Sequence, residues 1–490
     1  MMAMALIGVM LWTQWQHDYP ASQHSSAPAV SQGGQAASTG FVPAPAAVVE
    51  NGSHAAVKVP QTSTTAETAS GYIQVNTDVL HLRISKLGGN VVMANLPRFP
   101  VSLQQKNTPM TIISSKPGQY YVLKSGVTSQ QKAKPLVYSS RARQYTLVAG
   151  KKQLTVVLSA NNGVTRVTKT FRFYPGQYHV TLDTVIENVS KKPWAGSFYH
   201  QIARQEPEHH YTSMAYNGGA VSSAAIPYQK VKYKDMLKNN LSLSTRGGWV
   251  AMQQHYFLSA WVPNQHHTHI YYSGVSPNSV AHGAVYNLGF TSSLIKLKPG
   301  QSKENSSMFY IGPENIKALS ALAPGLNLTV DYGILSPISM AIFWCMKEIH
   351  HFVGNWGWAI ILITMLMKLA LYWPSAMSYR SMARMKMMAP RIKSLQERYK
   401  DDKQALSKAT MELYKTEKVN PMGGCLPMLV QIPIFIALYW VLIESVQLRQ
   451  SPFIFWIHDL SVKDPLYILP ILMGGSMFLQ QKLSPAPADP

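Results

Sequence analysis

The feature that most constrains this chain is one apolar stretch, residues 356–373, which reads WGWAIILITMLMKLALYW. Trp356 and Trp358 stand at one end, Tyr372 and Trp373 at the other. Amphipathic rings at both ends of an apolar run of this length are what a bilayer-spanning helix carries where it meets the two headgroup layers. The loop that follows, 379–418, holds eleven Lys or Arg against five Asp or Glu. Short cytoplasmic loops concentrate Lys and Arg, so this loop orients the chain: Trp356 faces outward, and what immediately precedes it lies outside the membrane. The whole sequence carries a net charge of +22, yet only 13% of its residues are charged. Basicity spread so thinly fits a membrane protein better than a soluble nucleic-acid binder, and it points to polyanionic partners such as anionic lipid or a ribosome.

Two further spans are predicted, at 426–446 and 466–481, joined by an outward loop at 447–465. Residues 1–16 are apolar but short, with no basic leader and no clear cleavage site, so a cleaved signal peptide and a retained transmembrane anchor both remain open; the anchor is the preferred reading. Residues 17–70 are rich in Ser, Ala, Gln, Gly and Pro and read as a flexible periplasmic tether. Residues 71–326 alternate apolar and polar: Leu80, Leu82 and Ile84; Phe171 and Phe173; then, after Pro175-Gly176, Tyr178, Val180 and Leu182. That is the pattern of hairpins with one buried face, repeated into a large antiparallel β-sandwich. Within residues 327–353, Ile338 to Phe352 is helical in pattern, but Lys347, Glu348, His350 and His351 interrupt it, which suits an interfacial amphipathic helix. The expected fold class is therefore a membrane α-helical core, residues 354–490, plus a large periplasmic β domain.

The only cysteines are Cys345 and Cys425, so neither a disulfide framework nor a cysteine zinc site is expected. The pairs His209-His210, His266-His267 and His350-His351 lack partners at metal spacing and read as surface histidines. No phosphate-binding loop, nucleophile elbow or zinc-protease helix motif is present. A Ser–Lys dyad of Ser476 with Lys368 has nothing to bring it together.

The residues that carry chemistry lie within the spans. Lys368 sits inside an apolar helix, where an ionisable group costs about 2.5–3.5 kcal/mol if central. Thr364 lies one turn away on the same face. A cation facing a wet cavity is one reading; a lysine snorkelling toward the cytoplasmic interface is the other. Gln431, between Pro427 and Pro433, either lines a polar groove or joins neighbouring helices. In the basic loop, Met385, Met388, Ile392 and Leu395 recur at helical spacing, as do Leu406, Ala409 and Leu413, with Asp401-Asp402 between them as a helix cap. Two antiparallel helices follow, their methionines serving either packing or adaptable client contact.

Several long motifs in one order then resemble the YidC/Oxa/Alb family of membrane protein insertases. They are FVGNWG (352–357), KVNPMGGC (418–425), QIPIF (431–435), WIHDL (456–460) and DPLYILP (464–470), with GGWVAM (247–252) and LTVDYG (328–333) in the β domain. The resemblance implies a hydrophilic groove open to cytoplasm and lipid, with Lys368, Thr364 and Gln431 at groove positions. Phe435 and Met473 fall where the family guides a client helix. The loop matches the family's cytoplasmic helical hairpin, carrying Arg384, Lys386, Met388, Arg391 and Lys393. The periplasmic domain matches a β-supersandwich. The implied partners are nascent membrane proteins, the Sec translocon, ribosomes and anionic lipids; no enzyme activity, cofactor, metal or small-molecule substrate is implied. The implied location is the bacterial inner membrane, multi-pass, with the large domain in the periplasm. Where the family usually has Arg in the groove, this chain has Lys368, and the family continues past this chain's end with two more spans. A channel and an envelope-anchored glycan binder are the competing readings.

Overall fold

The computed structural model describes residues 71–129, 134–207, 216–280, 283–399, 402–417 and 426–483. The expected anchor at 1–16 and tether at 17–70 lie outside these residues, as do His209, His210, Asp401, the 418–425 motif and Cys425. Internal contacts divide the chain into two units, with the division between Asp331 and Tyr332.

The first unit is built from two large sheets, of eleven and nine strands. Its logic is plain in Thr165–Phe173 and His179–Asn188, which pair antiparallel with Phe173 opposite Val180 and Phe171 opposite Leu182. Val167, Phe171, Phe173, Val180, Leu182 and Ile186 all point into the core, because side chains alternate along a strand and one face must leave water. Pro175-Gly176 makes the turn, with Gly176 at φ 69°. In the other sheet Trp194–Gln205 runs centrally, between Tyr121–Ser129 and Gly283–Ser292. Trp194, Trp261, Phe198, Phe290 and Phe309 belong to a single core cluster or pack within it. One pairing departs from the antiparallel expectation: Tyr72–Asn76 pairs parallel with Gln144–Thr146, so a three-residue strand covers what would otherwise be an open sheet edge.

Lys169 ties the two sheets. It is fully buried, and its Nζ donates to the carbonyls of Gly88 (2.8 Å), Gly89 (3.2 Å) and Ser125 (2.8 Å) and to Ser125 Oγ (3.0 Å). It also lies 5.1 Å over the Tyr138 ring. Burial pushes its pKa down to about 7, while this ring of acceptors favours the protonated form. Two short helices complete the unit, α1 (Tyr233–Lys238) and α2 (Ile316–Leu322). The segment after α2 is fastened to the nine-stranded sheet by Trp249 Nε1 donating to the Pro324 carbonyl (3.0 Å) and Gln253 Nε2 to that of Thr329 (2.6 Å). Gly248, at φ 89°, passes so close that a Cβ would stand 2.4 Å from the Ser222 carbonyl oxygen. These contacts give the two β-domain motifs a structural basis.

The second unit is helical: α3 (Ser336–Val353), α4 (Trp356–Ala370), α5 (Tyr372–Arg398), α6 (Lys403–Thr416), α7 (Leu426–Glu444) and α8 (Ile468–Leu483). The helical pattern at 338–352 falls within α3, and the earlier part of the segment 327–353 holds 3-10 turns at Leu326–Thr329 and Gly333–Leu335. The stretch 356–373 is not one straight helix. It breaks at Leu371, and α4 and the start of α5 are bent by 57°. Pro374 explains the break: it has no N–H to give the Ala370 carbonyl, and its ring crowds that carbonyl. Among the described residues no single helix is long and apolar enough to cross a membrane; the bent pair of Trp356–Ala370 and Tyr372–Ser381 meets that requirement together.

Candidate functional site

The site is assembled from the start of α4. Gly354 closes α3 in the left-handed conformation (φ 70°), its N–H donating to the His350 carbonyl at 2.7 Å. Asn355 follows as the N-cap of α4. Its Oδ1 accepts from the N–H groups of Gly357 (2.9 Å) and Trp358 (3.3 Å). Its Nδ2 donates to the carbonyls of Pro452 (3.2 Å) and Phe453 (3.3 Å), which lie beyond the end of α7. Gly357 lets the loop come close, since a Cβ there would fall 2.2 Å from the Phe453 ring. Trp358 meets that ring edge-on at 5.5 Å, and His350 stacks on Trp356 at 4.0 Å. The loop itself is organised by two carboxylates. Asp459 accepts from the Gln450 and Ser461 backbones, at 2.9 and 2.8 Å. Asp464 accepts from Trp456 Nε1 (2.9 Å) and from the Leu466 (3.0 Å) and Leu469 (2.8 Å) backbones. Asn355, Asp459 and Asp464 stand in the sequence motifs with no role evident from the resemblance; an Asn before a helix, an Asp two residues before Ser461 and an Asp before Pro465 are the cap and turn signals that mark them.

Lys368 lies in the last turn of α4, where a cation complements the helix dipole. It is exposed, and its Nζ sits 4.9 Å from the centroid of the Phe435 ring on α7. Thr364, one turn earlier, is half-buried and donates to the Ile360 carbonyl at 2.7 Å, so its hydroxyl proton is spent within its own helix. Gln431 is half-buried one turn before Phe435 on the same face of α7. The structure thus joins Lys368 to Phe435, with Thr364 and Gln431 each one turn away. Met473 stands apart on α8, where every described side chain after Ile468 is exposed.

In the basic segment, α5 and α6 form a helical hairpin whose first arm begins at Tyr372, before the expected 379. Asp402 caps α6, Oδ1 accepting from Gln404 (3.0 Å) and Ala405 (2.9 Å). Arg384 and Lys393 are exposed, and Arg391 is ion-paired with Glu417. The Lys386 side chain lies outside the described residues. Met388 is packed inward, and among the described side chains of the hairpin the exposed methionines are Met377, Met387 and Met411, outside the stripe expected from the sequence.

Residues 72–345 match the family described as the YidC periplasmic domain, and residues 348–490 match the 60Kd inner membrane protein family. The chain belongs to the YidC family. A Coxiella burnetii relative named membrane protein insertase YidC (strain RSA 493 / Nine Mile phase I) is 48% identical over 497 residues, covering 99% of this chain and 87% of the relative. A Legionella pneumophila protein (strain Lens) and a Pseudomonas putida protein (strain F1), both of the same name, are 44% and 41% identical; each match covers 100% of this chain and 88% of the relative. Among solved structures, a galactose mutarotase related enzyme from Lactobacillus acidophilus covers 49% of this chain and 97% of its own, at 8% identity and a TM-score of 0.32, too distant to bear on the argument. In this YidC-family chain the motif residues Asn355, Gly357, Asp459 and Asp464 hold the frame on which Lys368 and Phe435 meet. Among the described residues no group of three or more His, Cys, Asp or Glu side chains could hold a metal ion.

Proposed function

We propose that the chain is a membrane protein insertase of the bacterial inner membrane, performing no covalent chemistry. Its β unit would lie in the periplasm, α3 at the outer interface, and the α5–α6 hairpin in the cytoplasm. The observation that carries the reading is a lysine on an apolar, outward-facing helix: Ile361, Leu362, Met365, Leu366 and Leu369 of α4 are all exposed, and Lys368 stands among them over Phe435. Apolar side chains turned outward along α4, α7 and α8 suit a lipid surrounding. At 1.5 Å per residue α4 rises only about 22 Å, short of a hydrocarbon core of about 30 Å, so flanking residues complete the crossing.

Moving a polar segment through that core has a prohibitive barrier, because its polar groups lose water with nothing in return. A groove that is wet for part of the depth shortens the dry path. Lys368, with Thr364 and Gln431, would keep it hydrated and attract acidic client segments, and Phe435 and Met473 would guide the client helix. Burial of the client's own apolar helix in lipid then drives the step without ATP. The +22 charge and the basic hairpin suit ribosomal RNA and anionic headgroups as further partners, and nascent chains would arrive alone or through the Sec translocon.

The test is insertion in a strain depleted of its own insertase. Lys368→Ala should reduce insertion of clients with acidic translocated tails, and Lys368→Cys should react with hydrophilic thiol reagents from the cytoplasmic side. Unchanged insertion removes Lys368 from the mechanism; an unreactive cysteine means the groove is dry.

A further inference from the structure

We infer that Phe435 is a positioning residue for the Lys368 ammonium, holding the charge on its ring face until an acidic client segment draws it off. This rests on the groove reading above and adds to it, since there Phe435 serves only as an apolar surface for the client.

Lys368 has few partners available. Among the described residues it forms no ion pair, and no carboxylate of α4 or α7 reaches it. A lysine carries a compact point charge on four rotatable carbons, so an unheld ammonium samples many positions, most of them unhelpful to an arriving anion. The Phe435 ring supplies a partner that needs no proton acceptor. Its negative face attracts the cation from 4.9 Å, and rotation about the terminal C–N bond costs nothing there. The hold is also weak enough to be exchanged. A client carboxylate offers full charge and hydrogen bonds, which outcompete a ring face once both are out of bulk water. A carboxylate partner within the groove would have neutralised the lysine permanently; an aromatic partner positions it and leaves its charge intact. The fixed start of α4, clamped by Asn355 to Pro452 and Phe453 just past α7, keeps the two helices in a relation that lets the contact form.

The test compares two clients that share one apolar segment and differ only in having an acidic or a neutral translocated tail. The quantity read is the ratio of their insertion, with membrane abundance of each variant checked in parallel. Phe435→Leu, which keeps apolar bulk and removes the ring face, should lower the acidic-to-neutral ratio about five-fold. Phe435→Trp, with a stronger ring face, should keep the ratio at its original value or raise it. In a Lys368→Ala background, Phe435→Leu should change the ratio no further, because there is no charge left to hold. If leucine and tryptophan give the same ratio, or if the Phe435→Leu loss is additive with that of Lys368→Ala, Phe435 is an apolar contact only and the inference is wrong. If Lys368→Ala alone leaves the ratio untouched, it is the groove reading that fails, and the positioning role falls with it.

Discussion

In the β unit Trp194, Trp249 and Trp261 are all buried, whereas in the helical unit Trp344 and Trp373 are 63% and 70% exposed and Phe455 is 81% exposed. The lysines divide the same way. Lys169 is sealed between two sheets with four oxygen atoms around its Nζ; Lys368 stands in the open with a ring beside it. One unit has settled its solvent problem internally, putting apolar groups inside and giving each buried charge its acceptors. The other presents apolar groups outward, which is stable only where the surroundings are apolar too. On the proposed reading, the same chemistry is arranged for two different solvents within one chain. The β unit should be rigid and sensitive to pH; the helical unit should owe its order to a few caps and clamps.

The strongest test of that contrast is steric. A Cβ at Gly289 would lie 2.3 Å from the His200 carbonyl oxygen and 3.0 Å from Gln201 Cα, both in the paired strand, where nothing can swing aside. Gly289→Ala should cost about 3 kcal/mol or more, seen as lost hydrogen-exchange protection across 194–205. A Cβ at Gly357 would meet Phe453 at Cδ2 (2.2 Å), Cγ (2.4 Å) and Cβ (2.9 Å), but Phe453 lies in a loop and not in a paired strand, so Gly357→Ala should cost clearly less. Equal costs would break the comparison.

The next effect is electrostatic. His200 lies between Trp261 and Phe290, with Nε2 2.8 Å from Ser307 Oγ. Burial, reinforced by the nearby Lys169 and His269 charges, holds its pKa well below the ordinary 6.5. The folded chain therefore keeps it neutral where the unfolded chain takes up a proton. Stability contributed this way is present above pH 6.5 and is lost as pH falls below it, by up to about 1.4 kcal/mol per pH unit. Thermal unfolding of the β unit, followed in the full chain between pH 7 and 5, should show this slope, and His200→Gln should flatten it. A slope unchanged by the substitution would mean that other buried histidines, such as His269, carry it.

Smaller effects belong to the helical unit. Asn355→Ala removes two cap bonds and two clamps, and should cost about 1–2 kcal/mol, read as faster exchange of the Gly357 and Trp358 amides. Arg391→Ala breaks an ion pair whose arginine is largely in solvent, so it should change hairpin exchange by less than about 1 kcal/mol. A large effect there would show that the α5–α6 hairpin depends on charge rather than on Met388 and its neighbours.

What was legible in the sequence follows the same division. The Pro175-Gly176 hairpin could be read because a period of two shows wherever one face leaves water. Asp402 could be read because capping is local. The break at Leu371 had a local sign, Pro374, which the apolar run and its terminal aromatics outweighed. The parallel partner of Tyr72–Asn76 left no sign, since three residues are too few to show a period. The meeting of Lys368 with Phe435 was equally hidden: the two lie on separate helices, and no spacing rule connects them. The resemblance points to both residues but gives them separate tasks, and only the folded chain brings them face to face.

Gly354 and Asn355 are the whole of the joint between α3 and α4. A helix advances about 100° per residue, so a joint this short fixes the angular phase of everything downstream. One residue inserted there would separate the Gly354 turn from the Asn355 cap, change the bearing on which α4 leaves the joint, and so aim the Lys368 cation, about 20 Å further along, away from α7. The joint acts as an indexing pin: its length, more than its composition, sets the compass bearing of the charge at the other end of the helix.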